Sequence, residues 1–182
     1  MRVKCREIPI LAVSHCILNR STRWWQNGKS INGNIGMNIQ ILELLSRFEV
    51  GLVQMPCPEF TFCGNPRPPR TRDEYSMLPG FVEHCRRLAE ETAKNLKVLV
   101  EKAENPPVKI LAVIGVERSP TCGVKRTPVG RVGDRRYIDK MGLFTDLLSK
   151  SLRRVGLEVP FIGADLDRPE ELTASISRLI DC

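Results

Sequence analysis
The sequence predicts an α/β fold: a Rossmann-like, doubly wound sheet of four parallel strands in the order 2-1-3-4, with helices on both faces. Three observations predict it. Near-continuous apolar runs of strand length alternate with amphipathic segments of helical period. The alternation is strand, helix, repeated four times, which implies a parallel sheet covered on both sides. Right-handed crossovers then make 2-1-3-4 the natural order. At 182 residues the chain suits one domain, spanning 1–182, with a real core.

Ile8 to Ser14 is the first strand. Its run is nearly all apolar, as buried parallel strands are, and Pro9 sits near its start, where a missing N–H is tolerated. Residues 19–34 are polar, with Asn-Gly turn signals. Ile35 to Phe48 places Ile35, Ile39, Leu42 and Leu45 at helical spacing, and Val50 to Met55 reads as the second strand. Residues 56–79 are rich in proline and arginine. No regular element is predicted there, and a loop of that length in a compact domain is usually functional. Phe81 to Glu104 is a long amphipathic helix, ended by Pro106-Pro107. Val108 to Val116 is the third strand. Residues 117–136 read as irregular and carry Cys122 and a basic run. Met141 to Val155 is a helix, Val159 to Gly163 a short fourth strand, and Arg168-Pro169 opens a final helix.

Composition narrows the function. The 42% apolar content is that of a soluble protein. No apolar run approaches the roughly 18 residues needed to span a bilayer. The charged start lacks a small-residue cleavage site, so a cytoplasmic protein with no membrane partner is expected. Seven cysteines, an odd number spread along the chain, do not suit a secreted disulfide framework. The net charge of +7 points to an anionic partner, or to a solvated basic surface. No zinc-finger spacing, recognition helix or aromatic RNA-binding motif is present, so specific nucleic-acid binding is not expected.

Three cysteines share one setting. Cys16, Cys57 and Cys122 each follow an apolar run and lie beside turn-forming residues. If the runs are parallel strands, the three sulfurs emerge on one edge of the sheet, where open α/β sheets bind ligands. Pro56 and Pro58 fix the chain on either side of Cys57. Gly123 lets backbone approach a bulky cofactor. The absence of a Cys-x-x-Cys pair argues against a structural zinc site and a ferredoxin-type cluster. Single thiolates on three loops suit a metal or iron–sulfur centre with one position open for chemistry. Glu59, two residues after Cys57, is a candidate general acid or base. Ser119 is a candidate hydrogen-bond donor to substrate or to a cluster sulfur.

These segments resemble the thiouracil desulfurase (desulfidase) family. The matching pieces are Val-Ser-His-Cys-Ile-Leu-Asn at 13–19, Pro-Cys-Pro-Glu at 56–59, Gly-Asn-Pro-Arg-Pro-Pro at 64–69 and Glu-Arg-Ser-Pro-Thr-Cys-Gly at 117–123. The resemblance implies a [4Fe-4S] cluster on Cys16, Cys57 and Cys122. It also implies non-redox desulfuration of a thiolated nucleobase, nucleoside or nucleotide, with sulfur passing to the unique iron. Glu59 becomes the catalytic carboxylate and Ser119 the assisting hydroxyl. The chain departs from the family at His15, at Phe60-Thr61-Phe62-Cys63 and at Trp24-Trp25.

Each residue has a plainer alternative. The three thiols are otherwise buried packing groups. Cys63 is either a fourth ligand or a packing thiol, and Cys5, Cys85 and Cys182 are expected to have no metal role. His15 is expected to make a structural hydrogen bond, and His84 to lie at the surface or core edge. Arg67 and Arg118 are the candidate substrate-binding cations, with Arg20, Arg70 and Arg72 beside them; any of these either grips a phosphate or is solvated. Trp24 and Trp25 either stack on a nucleobase or pack as a lid. The enzymatic rival is a zinc hydrolase with a Cys₃-water site. The non-enzymatic rival is a cluster or metal carrier.

Overall fold
The computed structural model describes residues 7–25, 29 and 34–180. Cys5, Cys182 and the Asn-Gly pairs at 27–28 and 32–33 lie outside the described residues. The strands are β1 (Ile8–Val13), β2 (Gly51–Gln54), β3 (Val108–Val116), β4 (Arg126–Val129), β5 (Arg136–Asp139) and β6 (Phe161–Ala164). The helices are α1 (His15–Leu18), α2 (Ile39–Leu45), α3 (Pro58–Cys63), α4 (Arg72–Ser76), α5 (Phe81–Lys102), α6 (Leu143–Arg154) and α7 (Glu170–Ile180).

Four strands form one parallel sheet in the order β2-β1-β3-β6. This is the expected 2-1-3-4 arrangement. The fourth strand of the sheet is the sixth in the chain because an antiparallel hairpin, β4–β5, is inserted after β3. That hairpin corrects the irregular reading of 117–136. Pro128, inside β4, masks it in the sequence; proline survives there because a two-stranded ribbon is all edge.

The two faces of the sheet carry separate cores. Leu11 and Val13 pack with Ile41 of α2 and Leu172 and Ile176 of α7. Ala12 packs with Leu88, Ala89 and Leu96 of α5 and with Phe144 and Leu148 of α6. Residue Leu111 is the extra one in a register shift: Ile10 pairs with Ile110, but Leu11 pairs with Ala112. A bulge of one residue reverses the in/out alternation. Ile110 and Val113 therefore share the α5–α6 face, while Ile114 and Val116 face α2 and α7.

α5 buries Phe81, Cys85, Leu88, Ala89, Thr92, Ala93 and Leu96, an unbroken stripe of helical period. Each of its fully buried large side chains contributes about 1.5–3 kcal/mol. Residues 56–79, expected to lack regular structure, hold two short helices. α3 starts on Pro58, whose missing N–H costs nothing at a first helical position. α4 starts on a capping box: the Thr71 hydroxyl accepts from Glu74 N, and the Glu74 carboxylate accepts from Thr71 N. Among the described residues no helix is long and apolar enough to cross a membrane.

Candidate metal centre and its carboxylate
β1, β2 and β3 run in the same direction, so the segments leaving them start from one edge of the sheet. After β1, Ser14 N donates to Ile114 O (2.9 Å) and the chain turns into α1, which carries Cys16. His15 makes a structural bond, as expected: its Nδ1 pairs with Nε2 of Gln54, the last residue of β2. After β2, Cys57 caps α3, its Sγ accepting from Phe60 N at 3.5 Å. After β3, the chain doubles back so that Cys122 O accepts from Val116 N (2.9 Å). Ser119 builds this turn, its Oγ accepting from Cys122 N (3.0 Å) and Thr121 N (3.3 Å). With its oxygen accepting twice, the Ser119 hydroxyl has one proton to donate, and Thr121 Oγ1 lies 3.5 Å from it. The turn itself requires Gly123: a Cβ there would lie 2.6 Å from Arg126 O and 2.7 Å from Ser119 O.

The three thiols are free and line one cavity of about 330 Å³, with Glu59 and Ser119 beside them. Each is pushed up to about 12, chiefly by burial. They also act on one another: Cys57 raises Cys16, Cys122 raises Cys57, and Cys16 raises Cys122. Protonated thiols become metal ligands only when a cation displaces their protons. The sulfurs are thus near enough to interact. Yet among the described residues no group of three or more His, Cys, Asp or Glu side chains is gathered to hold a metal ion. Phe60 N donates toward the Cys57 sulfur, whereas the single proton of Thr121 Oγ1, 3.6 Å from the Cys122 sulfur, goes to Glu59. A backbone donor of this kind supports a metal-bound thiolate.

Glu59 is 7% exposed and fully engaged. Its Oε1 accepts from Thr121 Oγ1 at 2.7 Å. Its Oε2 accepts from Tyr75 OH at 3.1 Å and from Arg67 Nη2 at 3.2 Å. Thr121 and Tyr75 were not among the sequence candidates. Thr121 stood out only as the neighbour of Cys122, and Tyr75 only as a residue of an overlooked helix.

Arg67 is 3% exposed and holds protein acceptors with both Nη atoms. Arg118 lines the cavity with its backbone in the left-handed region (φ 62°), its side chain paired with Asp165 and Asp167. Arg20 and Arg70 line it too, and Arg20 Nε, Arg67 Nε and Arg70 Nη1 are buried without a hydrogen-bond partner among the described residues. Arg72 instead donates to Met141 O and is not part of the lining. Trp24 lines the cavity and Trp25 does not. Cys63 lies outside the lining and packs with Tyr75, Phe81, Cys85 and Leu143. His84 bonds Thr61 Oγ1 at the surface. Among the described residues, six arginines and three carboxylates line the cavity.

Comparison with known proteins places the chain in a family. Residues 8–155 match a family model described as "Putative 2-thiouracil desulfurase". An uncharacterized protein of Methanocaldococcus jannaschii, MJ0003, is 32% identical over 118 residues, which span 63% of this chain and 67% of that protein. The solved structure of the [4Fe-4S]-dependent thiouracil desulfidase TudS superposes with a TM-score of 0.53 at 25% identity, covering 95% of this chain and 99% of TudS. The family model spans well over half of the sequence, and the chain belongs to the 2-thiouracil desulfurase family.

Proposed function
We propose that this protein is a [4Fe-4S]-dependent desulfidase that hydrolyses the C=S group of a thiolated nucleobase, nucleoside or nucleotide to C=O. The observation that carries the reading is the meeting on one cavity of three free thiols from three strand ends, Cys122 buried and Cys16 and Cys57 half-buried, with a buried, fully donated carboxylate. The balance is C=S plus water giving C=O plus hydrogen sulfide, with no electrons exchanged.

Cys16, Cys57 and Cys122 would hold the cluster as thiolates. Bound there, it would supply Lewis-acid chemistry toward the thiocarbonyl sulfur. Glu59 takes a proton from the attacking water, its orientation fixed by Thr121, Tyr75 and Arg67. Ser119 directs its hydroxyl proton to the substrate. The cavity-lining cations Arg20 and Arg70 attract an anionic substrate group such as a phosphate, with Arg118 at the rim. Trp24 offers a flat wall to the base.

Anaerobic reconstitution with iron and sulfide, followed by sulfide-release assays on 2-thiouracil, 4-thiouracil and thiouridine nucleotides, tests the reading. The expected result is an iron–sulfur absorption band and sulfide release. Ser substitutions at Cys16, Cys57 or Cys122 should each abolish iron loading, while Cys63→Ser should keep it. A fully loaded protein that releases no sulfide from any of these substrates refutes the activity. Stoichiometric zinc without an iron chromophore would favour the hydrolase instead.

A further inference from the structure
We propose that Arg67 is a positioning residue that couples the cavity-lining segment 20–25 to the Glu59 carboxylate. The proposal rests on the desulfidase reading, which makes Glu59 the base.

One guanidinium bridges the two. Arg67 Nη1 donates to Thr22 O at 2.6 Å and to Asn65 Oδ1 at 2.8 Å, while Nη2 donates to Glu59 Oε2. The backbone reinforces the same seam. Trp25 N donates to Arg67 O at 2.8 Å, and Asn65 Nδ2 donates to Ser21 O at 3.0 Å. Segment 20–25 supplies Arg20, Arg23 and Trp24 to the cavity wall. The side chain that orients the base therefore also anchors the wall that receives the substrate.

Direct phosphate binding by Arg67 is the competing role. A bidentate grip needs two parallel N–H groups on one edge of the fork. In Arg67 both Nη atoms already serve protein acceptors, which leaves Nε as its unpartnered nitrogen. Lysine cannot replace this geometry. It keeps the charge near Glu59 but lacks the planar fork that reaches Thr22 at the same time.

The test uses cluster-loaded enzyme, with iron content verified, in the variants Arg67→Lys, Glu59→Gln and the double variant. Each is assayed on 2-thiouracil and on a phosphorylated thiouridine, with amide hydrogen exchange followed over residues 20–25. Arg67→Lys should lower kcat by about 100-fold on both substrates alike, the scale of a misplaced catalytic group. Exchange over 20–25 should rise. The double variant should lose little beyond Glu59→Gln alone, since the two act as one unit. A rise in KM confined to the phosphorylated substrate, with kcat kept, would make Arg67 a phosphate ligand and overturn the proposal. Additive losses, or unchanged exchange, would overturn it as well. The exchange readout needs no turnover, so it decides the coupling even if wild-type enzyme proves inactive and the desulfidase reading falls.

Discussion

Replacing Thr121 with valine removes one hydroxyl and keeps the side chain's shape. Thr121 is 1% exposed, and its Oγ1 donates to Glu59 Oε1 at 2.7 Å. Valine leaves that buried oxygen without the donor that orients it. Its backbone roles survive, because Thr121 O still accepts from Phe144 N and Thr145 N. A hydrogen bond to a charged group is worth about 1.5–3 kcal/mol. In a domain of this size each kcal/mol moves Tm by about 2–4 °C, so the metal-free protein should melt about 3–12 °C lower. If the same bond holds Glu59 in the transition state, kcat should fall about 10- to 150-fold. Circular-dichroism melting of the metal-free protein and sulfide release by the loaded enzyme measure the two effects. A Tm within about 1 °C of wild type, with kcat unchanged, would show that the 2.7 Å contact does not hold the carboxylate, and the account of the site would fail.

Two further outcomes follow from the same structure. Cys16, Cys57 and Cys122 are raised from 9.0 to about 12 in the folded state, first by burial. Their contribution to stability is therefore complete below pH 9 and is lost as pH rises toward 12, because the unfolded chain releases these protons first. Denaturant titrations of metal-free protein should show that decline, and Cys122→Ser should decline less; identical pH profiles would contradict the shared burial. Gly163→Ala places a Cβ on the Glu117 carboxylate, which accepts from Lys125 N and Arg126 N at 3.0 Å. It should cost about 1–3 kcal/mol and speed amide exchange at residues 125 and 126.

The sheet was readable because parallel strands buried on both faces leave continuous apolar runs, and Val108 to Val116 is the clearest case. That the three thiols would share one cavity was readable because Cys16 and Cys57 lie just past such runs and Cys122 follows one after a short turn. What stayed hidden was short-range structure with polar signals. Thr71-Arg-Asp-Glu74 is a capping box in plain sight, and Pro58-Glu59 is a helix start, yet both lie within a proline-rich stretch that reads as a loop. Overlooking α4 meant overlooking Tyr75, and with it one of the three donors on Glu59. Arg67 shows a different gap. Its charge and position suggest a substrate contact, whereas the geometry that gives both Nη atoms to Thr22 and Glu59 depends on segments 45 and 8 residues away.

The place of β3 in the sheet has a consequence for how the protein matures. β3 lies between β1 and β6, and the turn after it supplies Cys122 some 65 residues after Cys57 in the chain. Such distant contacts close late, because loop entropy opposes them until a strand pairing rewards it. An emerging chain therefore presents two thiols well before the third can reach them. The three sulfurs come onto one cavity only once β3 has paired with β1, so under the function proposed above that strand pairing precedes any loading of the site.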